Sequence, residues 1–316
     1  MAVASWYRVD RIELAGRPAY VLEGADGGVR ATVIPDLGML CWSLTLDGAE
    51  LLGQPNSLDR FACDWATTGI PLLHPWANRL AGDTLIGVDH PTIDPASPLV
   101  PLDANGLPIH GLNLAGAGWT ILVAGVRGDS ATVSARLRFD NPTLLAVFPF
   151  PHEVTVTATL TGRTLSVTTE VHPTGDRPVP VSFGWHPYFR IPGVPRGDWQ
   201  VTLPVRRRGQ LDRLMVPTGR DAPVSGIAGP LGTRVFDDLF TELEPDPLFV
   251  LQGGGRRIAV AMGSGYPVAQ VYAPIDRDVV AYEPMTAPGN ALVSGDGLRW
   301  VNPGERFVAT FAVTVS

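Results

Sequence analysis

Apolar and polar residues alternate with a period of two along much of the chain: VRATVIP from Val29, MLCWSLTL from Met39, ATVSARLRF from Ala131 and ERFVATFAVTVS at the end. An extended strand points successive side chains to opposite faces, so such alternation predicts strands with one buried and one wetter face. The clearest case is HEVTVTATLTGRTLSVTTEVHP. There Val154, Val156, Ala158 and Leu160 face one way, Thr161-Gly162 turns the chain, and Leu165 and Val167 begin a return strand. This predicts an antiparallel hairpin. Long segments with helical apolar spacing are missing, while Gly and Pro are spread throughout, as short strands joined by turns require. Residues 193–199 (GVPRGDW) and 208–232 (RGQLDRLMVPTGRDAPVSGIAGPLG) read as extended surface loops. No break in composition and no fixed-period repeat divides the chain. The pattern predicts one all-β domain over residues 1–316, built from packed sheets.

Composition narrows the function. With 316 residues, 45% hydrophobic and 17% charged, the chain can bury a sizeable core. A net charge of -7 argues against nucleic-acid or anionic-membrane partners, which need a basic face. All 24 residues in the Lys+Arg total are Arg, so Schiff-base chemistry on lysine is excluded. Cys41 and Cys63 are too few for a disulfide framework or a thiolate metal cluster. The start, MAVASWYRVDRIELAG, lacks the basic and apolar regions of a secretory leader, and no apolar run is long enough to span a bilayer. The expectation is a cytoplasmic protein of unspecified oligomeric state.

Four stretches can carry chemistry. In HPWANRL, Arg79 follows Asn78 and offers a fork of donors for hydroxyl or carboxylate oxygens. In PIHGLNLAGAGW, His110 precedes Gly111, which permits a close backbone approach. In VPVSFGWHPYFRIPG, His186 sits among Trp185, Tyr188 and Phe189 and is either a core histidine or a proton donor on an aromatic shelf. In AQVYAPIDRDVVAYEPMTAPGNAL, Glu283 ends an apolar strand-like run, where desolvation raises a carboxyl pKa and makes a better base. FDDLF adds Asp237 and Asp238 between phenylalanines, as a sugar-binding carboxylate or an ordinary turn. The basic runs at Arg206–Arg208 and Arg256–Arg257 read as solvated turns, since the glycines before the second have no P-loop lysine.

In order, NRL, HG, HPYF, FDDLF and VYAP…YEPMTAPGNA resemble the aldose 1-epimerase (galactose mutarotase-like) family. VIPDLGMLCWSLTLDGAELL resembles its opening strands and PFPHEVTVTATL its central hairpin, so the resemblance spans nearly the whole chain. It implies a β-supersandwich that interconverts the α and β anomers of a free sugar with neither metal nor cofactor. It also implies that His186 is the acid that protonates the ring oxygen and Glu283 the base that takes the anomeric hydroxyl proton. His110 would bond near the ring oxygen, and Arg79, Asn78 and Asp237 would hold hydroxyls. Trp76, Trp185 and Tyr188 are expected to stack on the sugar. One departure marks a divergent branch: Ser182 and Gly184 stand where galactose mutarotases carry Asn and Thr.

Other readings remain open. A hexose-6-phosphate 1-epimerase would use the same acid and base with Arg206–Arg208 or Arg256–Arg257 near C6. A sugar-binding protein would keep the fold without the chemistry. A metal site from His74, His110, His186 and Glu283 has no recognised ligand spacing. A glycoside hydrolase would need a second strong carboxylate beside Glu283.

Overall fold

The hairpin expected from alternation forms as His152–Thr161 paired with Thr164–Pro173. Leu160 lies opposite Leu165 and Ala158 opposite Val167, and every second residue is buried. The turn sits one residue later than the pattern predicts, on Gly162 and Arg163, with Gly162 at φ 55°, where a residue without Cβ is unstrained. The computed structural model describes residues 6–25 and 27–316. The first five residues, where both the non-leader segment and the 1–316 domain begin, lie outside the described residues.

The hairpin lies inside a nine-stranded sheet that runs from Ile227–Pro230 at one edge to Thr120–Val126 at the other. A second, eight-stranded sheet includes Val205–Leu211, Phe236–Leu243, Val268–Ala273, Val280–Met285 and Gly184–Trp185. A five-stranded sheet is formed by the chain from Arg8–Leu14 to Ala49–Glu50. Every ladder between these strands is antiparallel. Among the described residues α-helix is confined to Leu58–Asp64, Pro142–Val147 and Ala291–Ser294, so the protein is all-β. No described helix is long and apolar enough to cross a membrane.

The two large sheets share a core. From the eight-stranded sheet, Trp185 donates its Nε1–H to Thr169 Oγ1 (3.1 Å) and Tyr282 its hydroxyl to Val250 O (2.8 Å), both on the nine-stranded sheet. The nearest rings to Trp185 and Tyr282 include Phe311 at 5.7 Å and Phe249 at 5.4 Å. Burying aromatic rings of this size dominates core energetics, and the Trp185 N–H and Tyr282 O–H both have an acceptor.

The two stretches expected to be surface loops are ordered more tightly than that. Residues 208–232 contain most of a strand pair, Val205–Leu211 with Pro217–Pro223, and the strand Ile227–Pro230. Pro217–Pro223 and Ile227–Pro230 are edge strands with mostly exposed side chains, so the apolar alternation that marks a strand is absent. In residues 193–199 the ring of Trp199 is fully buried, and Arg196 donates to the carbonyls of Gly232, Arg234 and Ala273.

Candidate active site

The site lies on the outer face of the eight-stranded sheet and follows from register. On Val280–Met285, Tyr282 points to the inter-sheet core, so Glu283 points the other way. Gln270 is paired directly with Glu283, and Tyr272 with Ala281. One strand further, Asp237 lies opposite Tyr272. Directly opposed residues share a face. Gln270 donates to Asp237 Oδ1 at 2.7 Å, fixing that carboxylate. The same rule sorts the stretch around His186. Trp185 and Phe189 enter the core, while His186 and Tyr188 face outward with their rings stacked at 4.2 Å and 20°. The Tyr188 hydroxyl is hydrogen-bonded to Thr67 Oγ1 (2.7 Å), which holds the shelf.

The opposite wall comes from two loops. Arg79 is only 14% exposed and donates from Nε to Asp103 Oδ2 at 2.7 Å. Burial alone would raise the Asp103 carboxyl, but Arg79 and the backbone N–H groups of Leu107 and Asn105 hold it below its ordinary value. Asn78 Oδ1 accepts from the Arg79 backbone N–H (2.9 Å) and from its Nη1 (3.3 Å). The PGNA segment braces this turn: Asn290 N–H donates to Arg79 O, and Asn290 Oδ1 accepts from Ala81 N–H, both at 2.8 Å. Asn78 (φ 59°) and His110 (φ 63°) are both left-handed, a conformation that costs of order 1–3 kcal/mol and gathers at functional sites. His110 is held there by Asn78 O, which accepts its N–H at 3.0 Å, and by Trp65 Nε1, which donates to its carbonyl at 3.0 Å. Gly111, at φ 77°, lies so close to His74 that a Cβ would fall 2.3 Å from the His74 carbonyl oxygen. Its close approach is to another backbone segment.

Together these elements enclose a cavity of about 190 Å³ lined by Asn78, Arg79, Ile109, His110, His186, Tyr188, Asp237, Gln270, Tyr272 and Glu283. It is smaller than the ~300–1,000 Å³ typical of drug-sized ligand sites and suits one small polar molecule. His186 Nε2 stands 3.2 Å from Glu283 Oε1, and the His110 ring meets the His186 ring edge-on at 5.3 Å. Both His186 and Glu283 are almost fully buried, yet His186 Nδ1, His110 Nδ1 and Glu283 Oε2 have no hydrogen-bond partner. Unpaired buried polar atoms are costly, and three in one small cavity mark a place built to be completed by a polar ligand.

Burial drives the ionisations apart. It pushes Glu283 well above the usual carboxylate range, with the Asp237 charge adding to the rise and Arg79 opposing it. It pushes His186 down to about 3 and His110 well below the usual imidazole range, the latter with further depression from His186 and Arg79. Both shifts favour the uncharged forms, a protonated Glu283 carboxyl and a neutral His186 imidazole 3.2 Å apart.

Several sequence expectations are corrected. Trp185 and Trp76 do not line the cavity; both rings are buried in the core, Trp185 because its strand position alternates away from the cavity. Tyr188 is the aromatic shelf. The His74 ring does not join those of His110 and His186 in the cavity; it is buried with Nε2 2.8 Å from His152 Nε2, while His152 Nδ1 lies 2.6 Å from Phe150 O. That chain makes both imidazoles neutral, with His74 donating to His152. Asp237 lines the cavity, whereas Asp238 is engaged by Arg208. No cluster of three or more His, Cys, Asp or Glu among the described residues is spaced to hold a metal ion. Gly184 has no room for the side chain seen elsewhere: a Cβ would meet Pro284 O at 2.8 Å and Ala77 Cβ at 2.9 Å. Gln270, Tyr272 and Asp103 were not singled out from sequence. The first two carry a faint signal, as the polar members of the alternating run AQVYA; Asp103 carries none.

The protein is thus a sandwich of large antiparallel sheets with a small polar cavity on one outer face. The chain belongs to the aldose 1-epimerase family, whose model matches residues 21–314. Its fold is similar to that of a galactose mutarotase-like protein from Clostridium acetobutylicum, with 19% identity over 98% of each chain and a TM-score of 0.84. It is also similar to galactose 1-epimerase from Lactobacillus acidophilus NCFM, with 17% identity over 98% of this chain and 99% of that one, at a TM-score of 0.78. A structural-genomics protein from Synechocystis sp. PCC 6803 is 25% identical over 95% of this chain and 96% of its own, at a TM-score of 0.75. Among curated proteins there is no match.

Proposed function

We propose that this protein is an aldose 1-epimerase acting on a free, uncharged aldose, with Glu283 as base and His186 as acid. The observation that carries the reading is the buried pair, 3.2 Å apart on the floor of a one-sugar cavity and each with an unpaired polar atom. With the pair's proton moved across 3.2 Å to His186, ionised Glu283 takes the proton from the anomeric hydroxyl, the O–H electrons form the C1=O1 double bond, the bond from C1 to the ring oxygen breaks, and His186 protonates that oxygen. Rotation about C1–C2 and reversal of the same transfers closes the ring on either face. One proton is accepted and one delivered, so the pair's single proton is conserved through the cycle. Arg79, Asn78, Gln270 and Asp237 supply hydrogen bonds to hydroxyls, and Tyr188 braces the His186 ring. A contiguous buried cluster from Leu22 to Val315 supports treating the chain as one domain. The direct test is anomer exchange followed by NMR across free and 6-phosphorylated hexoses and pentoses; no acceleration over the spontaneous rate with any of them overturns the reading.

A cavity whose cationic residue is Arg79, already bonded to Asp103, is poorly suited to a phosphate. The other arginines expected to bind one are engaged elsewhere: Arg206 faces Glu242, Arg207 pairs with Asp221, Arg208 with Asp238, and Arg256 and Arg257 lie on the strand Arg256–Met262 of the other large sheet. Glucose is therefore expected to outperform glucose 6-phosphate by about tenfold or more in kcat/KM. Parity or a preference for the phosphate would promote the hexose-6-phosphate reading.

The pH dependence follows from the proton count. kcat/KM reports the free enzyme, whose active form is the singly protonated pair. An unperturbed Glu and His would confine that form to roughly pH 4.3–6.5. Lowering His186 to about 3 moves the acid edge of that window down, and the raised Glu283 sets its alkaline edge. The expected profile, after subtraction of the spontaneous rate, is a plateau through neutrality. Activity falls at low pH as a second proton enters and at high pH as the one proton is lost. A narrow bell with limbs near the unperturbed values would mean that the pair is not the titrating unit.

A further inference from the structure

The loop from Pro101 to Ile109 folds back on itself before it delivers His110 to the cavity. Ile109 N–H donates to Pro101 O (3.0 Å), Asp103 N–H to Leu107 O (2.9 Å) and Gly106 N–H to Asp103 O (3.0 Å). Within it the Asp103 carboxylate divides its two oxygens. Oδ1 accepts the backbone N–H groups of Asn105 (2.8 Å) and Leu107 (2.9 Å), an Asx turn that closes the loop. Oδ2 is left for Arg79 Nε at 2.7 Å. The Asp103 side chain is 6% exposed and lies outside the cavity lining, so a sugar held there does not reach it.

We propose, resting on the epimerase reading, that Asp103 is a positioning residue: from outside the cavity it sets the direction of the Arg79 guanidinium toward the sugar's hydroxyls and offsets its charge beside Glu283. A grip on Nε fixes the plane of a guanidinium and leaves its outer nitrogens free to donate. Nη1 is turned to Asn78 Oδ1 (3.3 Å) on the cavity wall, which leaves Nη2 and the second Nη1 hydrogen for hydroxyls. The charge follows the same line. Burial and the Asp237 charge raise Glu283, and Arg79 opposes them. Against its own burial, Asp103 is held ionised by Arg79 and its two backbone donors, so it offsets that opposition. The other titratable groups facing Glu283 are His186, His110, Tyr188, Tyr272 and Asp237, with Arg277 acting on the two tyrosines from outside the cavity. None of them is altered by a change at Asp103.

The test follows glucose and galactose in the exchange assay, with the urea midpoint showing that each variant is folded. Asp103→Asn keeps Oδ1 for the turn and sets an amide N–H₂ against Arg79 Nε–H, so it breaks the grip without opening the loop. KM is expected to rise roughly tenfold or more while kcat falls less than about threefold, the pattern for an interaction made equally in ground and transition states. The alkaline edge of the kcat/KM plateau should move to lower pH, because an uncompensated guanidinium favours the Glu283 anion. Asp103→Glu keeps the charge and loses the turn, and should keep the parental edge. In an Arg79→Met background, adding Asp103→Asn should cost less than about twofold, since nothing is left to position. Should Asp103→Asn fail to fold, Asp103→Ser, which keeps an acceptor for the turn, takes its place. A parental KM and alkaline edge in Asp103→Asn, or an undiminished loss with Arg79→Met in place, overturn the proposal and leave the epimerase reading intact. So does a fall in kcat alone with the edge unmoved, which would make Asp103 only a brace of its loop. If no sugar exchanges, the epimerase reading has failed and saturation-transfer NMR with the same two sugars still decides. Binding weakened about tenfold by Asp103→Asn supports the grip on Arg79; unchanged binding, or no binding by the parent, overturns it.

Discussion

Replacing Glu283 with Gln is expected to lower anomer exchange by roughly 10²–10⁴-fold, the usual loss when general-base assistance is removed, equivalent to about 2.7–5.5 kcal/mol of barrier. Gln keeps the size and one acceptor oxygen but takes no proton at neutral pH. Sugar affinity should stay within about tenfold, or ~1.4 kcal/mol, of the parent. Folding should not suffer, because a neutral amide replaces a carboxyl that burial already disfavours as an anion. The midpoint of urea unfolding checks this directly. His186→Asn removes the other half of the pair and should behave alike. On the proposed mechanism the two side chains, 3.2 Å apart, act as one unit, so the double variant should lose much less than the product of the single losses. Parental exchange rates in both variants would leave a sugar-binding protein with an inert histidine. Multiplicative losses would mean that the two residues serve separate steps.

Why the pair was visible in the sequence and its surroundings less so is a matter of which contacts are local. The hairpin His152–Thr161/Thr164–Pro173 has one face in the core and one wetter, so its alternation is written plainly in the residues. The site strand Val280–Met285 is buried at all six positions. With both faces covered, alternation disappears, and nothing in VAYEPM separates the core residue Tyr282 from the cavity residue Glu283 except that one is a carboxylate. The same concealment put Trp185 beside the sugar: WHPYF reads as one aromatic shelf, yet successive residues go to opposite sides of the sheet. Gln270 and Tyr272 join the site through antiparallel register, and Asp103 reaches Arg79 across 24 residues. Those pairings are set by non-local contacts. The edge strands of residues 208–232 were misread for the opposite reason, since too few of their side chains are buried to leave a pattern.

Trp185 offers the sharpest separation of core from site. Trp185→Ala is expected to cost about 3–5 kcal/mol of stability, the range for emptying a buried tryptophan position. The ring is 1% exposed, lies 5.7 Å from Phe311, and donates to the buried Thr169 hydroxyl, which would lose that partner. The measurement is the urea midpoint at constant m-value, which reports stability without a change in the surface exposed on unfolding. Trp185→Phe retains much of the apolar volume and loses the N–H, so its deficit should be clearly smaller. Under conditions where Trp185→Ala is still folded, its sugar affinity should remain within about threefold of the parent, because no atom of the ring lines the cavity. His186 and Tyr188, which project from the same segment to the other side, should show the reverse for conservative changes, with binding or rate affected more than stability. A Trp185→Ala variant that kept its unfolding midpoint but lost sugar affinity would place the indole on the substrate and make the alternation across WHPYF wrong.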